Sequence, residues 1–523
     1  METAVNHQAS HSTTIATWTG FTAMCLGMFM AILDVQVVAT SLPTIQQALP
    51  IAQEQMSWIQ TAYLIAEIIS IPLAGLLTRT LTMRWLFVIA VSVFTLASIG
   101  CAASHNFSSL IFWRVVQGFS GGTVIPAVFS AVFLLFPYRL HSIATTIAGV
   151  VAVLAPTVGP IVGGWITETF SWHWLFLINV FPGILAALVA TFSLPRERPN
   201  FDLARHLDVL SLGLMACSLA ALEIGIKEAP QRSWASPLVD ALLALSFLTG
   251  MAFVTRTIRS PRPLVDLRLF SDRKLAVGCL LSFVLGIGLF GSVYLMPVFL
   301  AYARGHSALE VGKIMLVTGV VQFATAPVAV VLAQRFDTRR LTAVGFLLFG
   351  CGLGMSYFQT VTTDFDEMFW PQVVRGLAIM FCVLPPTRLA LEHLPKADIP
   401  DASGLFNMMR NLGGAVGIAI IDTIIYTRAP IYAHRLTDRL AAGDLDAVRI
   451  LAIPLGVVDR LPFDPKAQAL VATLVEKQAF INAVNDAWAL VAIITVAVLI
   501  TLRLARSPLE RAIISARKDR AIL

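Results

Sequence analysis

Fourteen hydrophobic segments run through the chain, and each is long enough to cross a lipid bilayer as one helix. Such a helix needs about 20 mostly apolar residues. Only 13% of the 523 residues are charged, whereas soluble domains carry about a quarter. The connecting stretches leave no room for a soluble catalytic domain. The sequence therefore predicts an all-α polytopic membrane protein with fourteen transmembrane helices.

Lysine and arginine concentrate in every second loop between these segments, as they do in short cytoplasmic loops. One set of alternate loops holds Arg79, Arg84, Arg139, Arg196, Arg198, Arg205, Arg256, Arg259, Arg262, Arg268, Arg273, Lys274, Arg335, Arg339, Arg340, Arg388, Lys396 and the tail cluster from Arg503 to Arg520. The opposite short loops hold little beyond Lys227, Arg232 and Arg304. We therefore expect both termini in the cytoplasm, as an even number of spans requires. The net charge of +6 then reflects membrane orientation rather than nucleic-acid binding.

The segments divide into two groups of six with a pair between them. Residues 77–86, after the second span, and 332–341, after the tenth, share two leucines and one arginine at the same offsets. Parallel repeats of this kind are a known transporter plan, with the substrate site between the repeats. The predicted organisation is a disordered cytoplasmic tail (1–16), an N-terminal six-helix bundle (17–194), a linker with two extra transmembrane helices (195–274), a C-terminal bundle (275–504) and a cytoplasmic tail (505–523).

One connection, 427–486, is much longer than the others and is predicted on the extracytoplasmic side. Its stretch 432–450 has helical periodicity with interspersed arginine and aspartate. This stretch forms either an amphipathic cap over the outer mouth or a solvated hairpin. The flanking spans are expected at 405–426 and 487–504.

Charged residues inside the spans are the first functional candidates, because burying them in a membrane is costly. Asp34 lies in the outer half of the first span, where a carboxylate is suited to reversible proton uptake. The alternatives are that Asp34 is permanently paired or lies near the interface. Glu67 in the second span and Asp422 in the thirteenth are further proton-coupling candidates.

Arg114 lies near the start of the fourth span, and its guanidinium keeps its charge in a protein. It can hold a carboxylate or a bound water, or it can extend from a helix end towards the lipid headgroups. Gln117 follows three residues later on about the same helix face. The substrate-path candidates are Gln36, Gln117, Arg375 and Arg410, of which Arg375 and Arg410 are equally compatible with an interfacial position. Glu223, near the end of the seventh span, is predicted to be interfacial.

Glycine and proline residues mark two spans as sites of close packing or bending. The fifth span contains Pro156, Gly159, Pro160, Gly163 and Gly164. Small residues let helix backbones approach, and proline removes a backbone donor. This composition is typical of a hinge or seal, although glycine pairs also occur in static bundles. The glycines of the fourth span, Gly118, Gly121 and Gly122, have the same expected packing role.

The sequence contains no pattern that predicts enzyme chemistry. Its nine histidines are isolated, and its six cysteines are scattered singly through hydrophobic spans. There is no phosphate-binding Gly-Lys loop, which argues against ATP-driven pumping within this chain. We therefore expect neither a cofactor nor a metal site.

Four motifs together resemble the major facilitator superfamily, and within it the fourteen-helix drug:proton antiporters of the EmrB/QacA kind. These motifs are 33–43 in the first span, 114–122 in the fourth, 159–164 in the fifth and the aromatic-asparagine stretch 172–179 that opens the sixth. One loop departs from the superfamily pattern. After the second span, Gly75-Leu-Leu-Thr-Arg79-Thr-Leu-Thr82 lacks the usual acidic residue and second glycine, which puts a latch at this loop in doubt.

The resemblance implies a proton-coupled antiporter that exports amphipathic small molecules across the inner membrane of a bacterium by alternating access. It assigns Asp34 and Arg114 to proton coupling and the fifth helix to the hinge. Relatives of this kind in Gram-negative bacteria work with a periplasmic adaptor and an outer-membrane channel. The alternatives are a dedicated exporter of one lipid, siderophore or metabolite, and a membrane sensor or enzyme with a transporter-like fold.

Overall fold

The computed structural model describes residues 15–49, 58–201, 208–261, 263–442, 444–451, 453 and 465–503. These residues form helices and connecting turns, with no β-strand among them. Thirteen helical stretches are long and apolar enough to cross a membrane. One of them, Trp58–Ala102, has 45 residues and is interrupted at Thr82, whose φ is 74°. It therefore carries two spans, and the predicted all-helical architecture with fourteen membrane helices is confirmed.

We number the long helices in chain order. They are α1 Ile15–Ala48, α2 Trp58–Ser70, α3 Ala74–Ala102, α4 Phe107–Leu135, α5 His141–Thr169, α6 Val180–Ser193, α7 Val209–Arg232, α8 Pro237–Arg259, α9 Arg273–Phe299, α10 Ala308–Arg335, α11 Thr338–Met355, α12 Phe365–Leu391, α13 Ile399–Ala441 and α14 Pro465–Ala497. The second span comprises α2 and the residues of α3 before the break at Thr82. Single turns separate some of the helices, such as Ile71–Leu73 between α2 and α3 and Trp174–Leu177 before α6.

Two helical bundles form the body of the protein. In the N-terminal bundle, α1 packs on α5 and α6, while α2 and α3 pack on α4. In the C-terminal bundle, α9 packs on α13, and α12 packs on α10 and α11. The bundles meet where α5 lies along α10 and where α13 contacts α3 and α4. The extra pair, α7 and α8, pack on each other, and α7 also contacts α2 and α13. The inserted pair thus lies beside one of the two contacts between the bundles.

The chain between 427 and 486 differs from the predicted long loop. Helix α13 has 43 residues, which at 1.5 Å per residue is about twice the thickness of the hydrocarbon core. Its second half therefore projects beyond the membrane, where it packs on the start of α14 and on the short helix Leu445–Ile450. Leu436, Val448 and Val475 belong to the small apolar cluster of this helical hairpin.

The predicted spans 405–426 and 487–504 cover only part of helices α13 and α14. The remaining parts of these helices contain charged residues, such as Arg428 and Asp486, which do not indicate a membrane span. Asp486, placed at the edge of the last span, accepts hydrogen bonds from Arg428 and Tyr432 at 2.7 Å each. At the other end of the chain, residues 15 and 16, predicted to be part of the tail, already belong to α1. The rest of that tail and the tail 505–523 lie outside the described residues.

Candidate functional site

Asp34 lies inside the N-terminal bundle, where α1 faces α4 and the start of α6. Its side chain is 1% exposed. Arg114 Nη1 donates to one carboxylate oxygen at 2.5 Å, and Gln117 Nε2 and Asn179 Nδ2 donate to the other at 3.0 and 2.7 Å. The carboxylate is therefore not isolated in its span. A buried charge of this kind persists because a paired cation and further hydrogen bonds satisfy it.

Arg114 and Gln117 reach Asp34 together because a spacing of three residues places them on one face of α4. Arg114 is completely buried within the protein, so it does not extend towards the headgroups. Its Nε donates to the carbonyl oxygen of Ile59 on α2 at 3.0 Å, and its Nη1 also donates to Gln117 Oε1 at 2.7 Å. The guanidinium carbon lies 4.4 Å from the ring centroid of Tyr63. This one side chain therefore joins α1, α2 and α4.

Several members of this network were not singled out from the sequence. Ser98 on α3 accepts a hydrogen bond from Gln117 Nε2 at 2.8 Å, and Cys101 Sγ lies 3.7 Å from Gln117 Oε1. Tyr63 donates to the carbonyl oxygen of Ala31 at 3.2 Å. Serine, cysteine and tyrosine inside a hydrophobic span carry no local signal of such a role. Asn179 had one signal, its place in the motif 172–179.

The glycines of the fourth span bring α2 against α4. A Cβ atom at Gly118 would collide with the carbonyl group of Tyr63, and one at Gly122 would collide with Ser70 and the backbone of Glu67. Gly121 lies against the Tyr63 hydroxyl. Because α2 and α4 lie so close together, the Ile59 carbonyl oxygen is within hydrogen-bond distance of Arg114.

The fifth span is one continuous helix despite Pro156 and Pro160. Gly159 lies against Gln36, so this glycine allows the contact between α5 and α1. The backbone oxygens of Gly163 and Gly164 accept the hydroxyl of Thr167 at 2.6 and 3.2 Å. Gln36 therefore lies at the contact between α1 and α5.

Glu67 occupies a second buried position, between α2, α7 and α13. Glu67 is 7% exposed, and its nearest polar surroundings include Asn411 on α13 and Glu223 on α7. Lys227, one turn beyond Glu223, donates to Thr61 Oγ1 at 2.6 Å. Glu223 is half-buried on α7, and its interfacial position stays a prediction.

The three remaining charged candidates lie in the C-terminal bundle, away from Asp34: Arg375, Arg410 and Asp422. Asp422 accepts the hydroxyl of Tyr294 at 2.6 Å, which joins α13 to α9. Arg410 donates to Asn407 and lies over the ring of Phe129 on α4, at the contact between the bundles. Arg375 lies in the core of the C-terminal bundle. Both arginines are more than nine-tenths buried within the protein, so neither is interfacial.

The two bundles are tied together at the end of the molecule where the basic loops lie, which we call the Arg-rich end. Arg79 forms an ion pair with Asp401, the third residue of α13. Arg388 Nη1 donates to Ser142 Oγ at 2.9 Å, and His141 Nδ1 lies 3.3 Å from Glu392. The acidic residue missing from the loop after the second span is thus replaced by Asp401, which sequence reasoning did not select.

Comparison with known proteins agrees with this geometry. The family described as the Major Facilitator Superfamily matches residues 24–418. The chain is 40% identical over 410 residues to the "Colistin resistance protein EmrB" of Acinetobacter baumannii, covering 78% of this chain and 80% of the relative. It is 29% identical to the "Multidrug export protein EmrB" of Escherichia coli K12, with 86% and 85% of the two chains covered.

Among solved structures, the human organic anion transporter MFSD10 superposes with a TM-score of 0.59 at 13% sequence identity, covering 92% of this chain and 99% of that one. At this identity the likeness shows the fold alone. The chain is a transporter rather than an enzyme, and it belongs to the Major Facilitator Superfamily, in the EmrB-like group of drug exporters.

Proposed function

We propose that this transporter is a proton-driven exporter of amphipathic small molecules that works by alternating access. The observation that supports proton coupling is the Asp34 site. A single buried carboxylate is held by Arg114, Gln117 and Asn179. Protonation would remove the charge that Arg114 pairs with, while the charge of the arginine itself stays. Uptake of one proton would therefore force this network to rearrange.

Arg114 also connects the Asp34 network, through α2, to the contact between the two bundles. Its Nε holds the Ile59 carbonyl of α2, and α2 leads through the turn Ile71–Leu73 into the segment that bears Arg79. Arg79 in turn pairs with Asp401 across the two bundles. In our proposal, protonation of Asp34 loosens α2 and weakens this tie, so that the Arg-rich end opens.

The basic loops give the proposed orientation. Cytoplasmic loops carry the excess of Lys and Arg, so we place the Arg-rich end and both termini in the cytoplasm. The protein would then lie in the bacterial inner membrane with its helical hairpin outside. A cysteine introduced at Lys396 and one at Asp240 test this, because a membrane-impermeant maleimide added to whole cells should label only Asp240→Cys. Labelling of Lys396→Cys alone would reverse the orientation.

The experiment for the function compares wild type and Asp34→Asn in proteoliposomes with an imposed pH gradient. Wild type should accumulate a fluorescent amphipathic substrate against its gradient, and a protonophore should abolish this. Asp34→Asn should lose gradient-driven uptake while keeping substrate binding. The matched control is Asp240→Asn at an exposed position of α8, which should behave like wild type. Full gradient-driven transport by Asp34→Asn would refute the coupling role.

Breadth of substrate separates a multidrug exporter from an exporter of one compound. The two relatives named above are described as a colistin resistance protein and a multidrug export protein, which leads us to propose several unrelated substrates. A panel of chemically unrelated compounds in an efflux-deficient bacterium tests this. Protection against one compound only would favour a dedicated exporter of one lipid, siderophore or metabolite.

We also propose a periplasmic adaptor and an outer-membrane channel as partners, on the basis of the resemblance to exporters of Gram-negative bacteria. In a Gram-negative host, removing the outer-membrane channel should then abolish resistance while transport by the purified protein in vesicles continues. Equal resistance with and without the channel would mean that the exporter works alone.

A further inference from the structure

A short motif of the N-terminal bundle recurs in the C-terminal bundle with two residues exchanged. Residues 114–118 read Arg-Val-Val-Gln-Gly, and residues 372–376 read Gln-Val-Val-Arg-Gly. Arg114 and Gln372 each lie seven residues after the first residue of their helices, α4 and α12. The two motifs therefore occupy the same position in equivalent helices.

The packing around the two motifs is also equivalent. Gly118 lets α4 approach α2, and Gly376 lets α12 approach α10 at Thr318 and Val321. On α9, the counterpart of α1, we compare Ser292 with Asp34. Ser292 lines a cavity together with Gln372 and Arg375. The C-terminal bundle thus repeats the site with a hydroxyl in place of the carboxylate.

Arg375 consequently has no anionic partner among the described residues. It is 4% exposed, its Nε has no hydrogen-bond partner in the described part of the chain, and its Nη2 donates to the sulfur of Met296 at 3.6 Å. The guanidinium carbon lies 5.2 Å from the ring centroid of Trp488. A cation–π contact and a thioether offset the desolvation free energy of a buried guanidinium far less than a carboxylate does.

The cavity beside Arg375 offers further unused donors. Gln372 accepts a hydrogen bond from Thr318 at 3.1 Å, while its Nε2 is buried and has no partner in the described structure. The cavity measures about 20 Å³, which suits a group about as large as a water molecule. Met296, Met315 and Ile379 form its apolar walls. A ligand carboxylate needs more room than this, so the cavity would have to widen when such a ligand binds.

We propose that Arg375 and Gln372 bind the anionic group of an amphipathic substrate, a carboxylate, at the position that Asp34 occupies in the other bundle. The inference rests on the proposed export function, since it names one class of exported compound. A guanidinium binds carboxylates through paired, charge-assisted hydrogen bonds. The apolar part of the substrate would extend along the methionine side chains, which adapt to different shapes. The N-terminal bundle would then hold the proton site, and the C-terminal bundle would hold the anion site.

The test measures equilibrium binding to the purified full-length protein in lipid nanodiscs by calorimetry, with empty nanodiscs as the blank. The probes are 1-naphthoate and its neutral analogue 1-naphthalenemethanol. Arg375→Gln should weaken naphthoate binding at least tenfold and leave binding of the alcohol unchanged. Arg304→Gln, which removes the same charge from a partly exposed pair with Asp364, should bind both like wild type.

A second variant separates binding from folding. Ser292→Asp restores the carboxylate of the N-terminal motif, so it should occupy Arg375 internally and weaken naphthoate binding to a similar extent. Thermal unfolding checks both proteins. Without ligand, Arg375→Gln and Ser292→Asp should unfold at or above the wild-type temperature, and naphthoate should stabilise wild type only.

Three results would overturn the proposal. Naphthoate binding that is unchanged in Arg375→Gln and Ser292→Asp would remove the site, and equal weakening of acid and alcohol would show a general packing defect. Chloride or phosphate binding with the same dependence on Arg375, without stronger binding of naphthoate, would mean a site for inorganic anions only. None of these results depends on a proton gradient, so each is distinguishable from failure of the Asp34→Asn transport experiment.

Discussion

Arg114 donates to three parts of the fold at once: the Asp34 carboxylate, the Gln117 amide on its own helix and the backbone carbonyl of Ile59. The charges of Arg114 and Asp34 are both removed from water. Burying either charge without the other would carry a large desolvation free energy. The pair is therefore a structural element as well as the proposed proton site. Substitutions there change stability and transport together, and the two effects have to be measured separately.

At the residue scale, we predict that Arg114→Gln destabilises the protein by about 3–5 kcal/mol, because Asp34 is left buried without its cation. The double variant Asp34→Asn/Arg114→Gln should recover most of this loss, since neither residue is then charged. Denaturant unfolding in nanodiscs at neutral pH measures both. Arg304→Gln, at a pair about one-third exposed on each side, should cost about 1 kcal/mol or less. A double variant no more stable than Arg114→Gln would contradict this account.

At the scale of elements, the glycines of α4 and the length of α13 have the largest consequences. The absence of side chains at Gly118 and Gly122 lets α2 lie against α4, and only this approach carries the Ile59 carbonyl to Arg114. Helix α13 runs from Asp401 at the Arg-rich end past Asn411 and Asp422 into the projecting hairpin. One continuous helix thus contacts the N-terminal bundle, the inserted helix α7 and, in the projecting hairpin, α14.

We predict that Gly118→Ala destabilises the protein by about 2–3 kcal/mol, because the new methyl group overlaps the backbone of α2 and overpacking costs this much. Gly213→Ala is the matched control, since a Cβ there meets nothing within 4 Å and α7 should be unchanged or slightly stabilised. Thermal unfolding of both variants in nanodiscs gives the comparison. Similar melting temperatures for the two would show that α2 and α4 have room to separate.

At the scale of the whole molecule, both polar and apolar contacts join the bundles at the Arg-rich end, where Leu391 and Leu405 belong to the same apolar cluster as Phe129 of α4. The polar contacts are the ion pair between Arg79 and Asp401 and the hydrogen bond from Arg388 to Ser142. Polar contacts of this kind break and re-form between two states more readily than a packed core does. In the proposed alternating-access cycle, these polar contacts would break when the Arg-rich end opens.

We predict that Asp401→Asn shifts the protein towards a state open at the Arg-rich end. Electron–electron distance measurements between spin labels at Arg139 and Lys396, exposed positions on the two bundles, should show a longer-distance population that grows in this variant. Asp337→Asn, at an exposed position of the same end, is the control and should match wild type. An unchanged distance distribution in Asp401→Asn would mean that the Arg79–Asp401 pair does not hold the bundles closed.

The sequence by itself determined the membrane-spanning architecture and the identity of the central charged residues. Burying polar backbone in lipid leaves few alternatives to long apolar helices, and a charge inside such a helix is costly enough to stand out. Asp34, Arg114 and Gln117 were therefore visible from local composition, and Gly118 was visible as a packing residue.

Only the tertiary structure decided which of these residues meet. Asp34 and Asn179 are 145 positions apart, and Ser98, Asp401 and Glu223 acquire their roles from neighbours on other helices. The unpaired state of Arg375 is likewise a property of what surrounds it, since its sequence motif is nearly that of Arg114. A side chain's partners depend on how helices face one another, and no local pattern along a single apolar span carries that information.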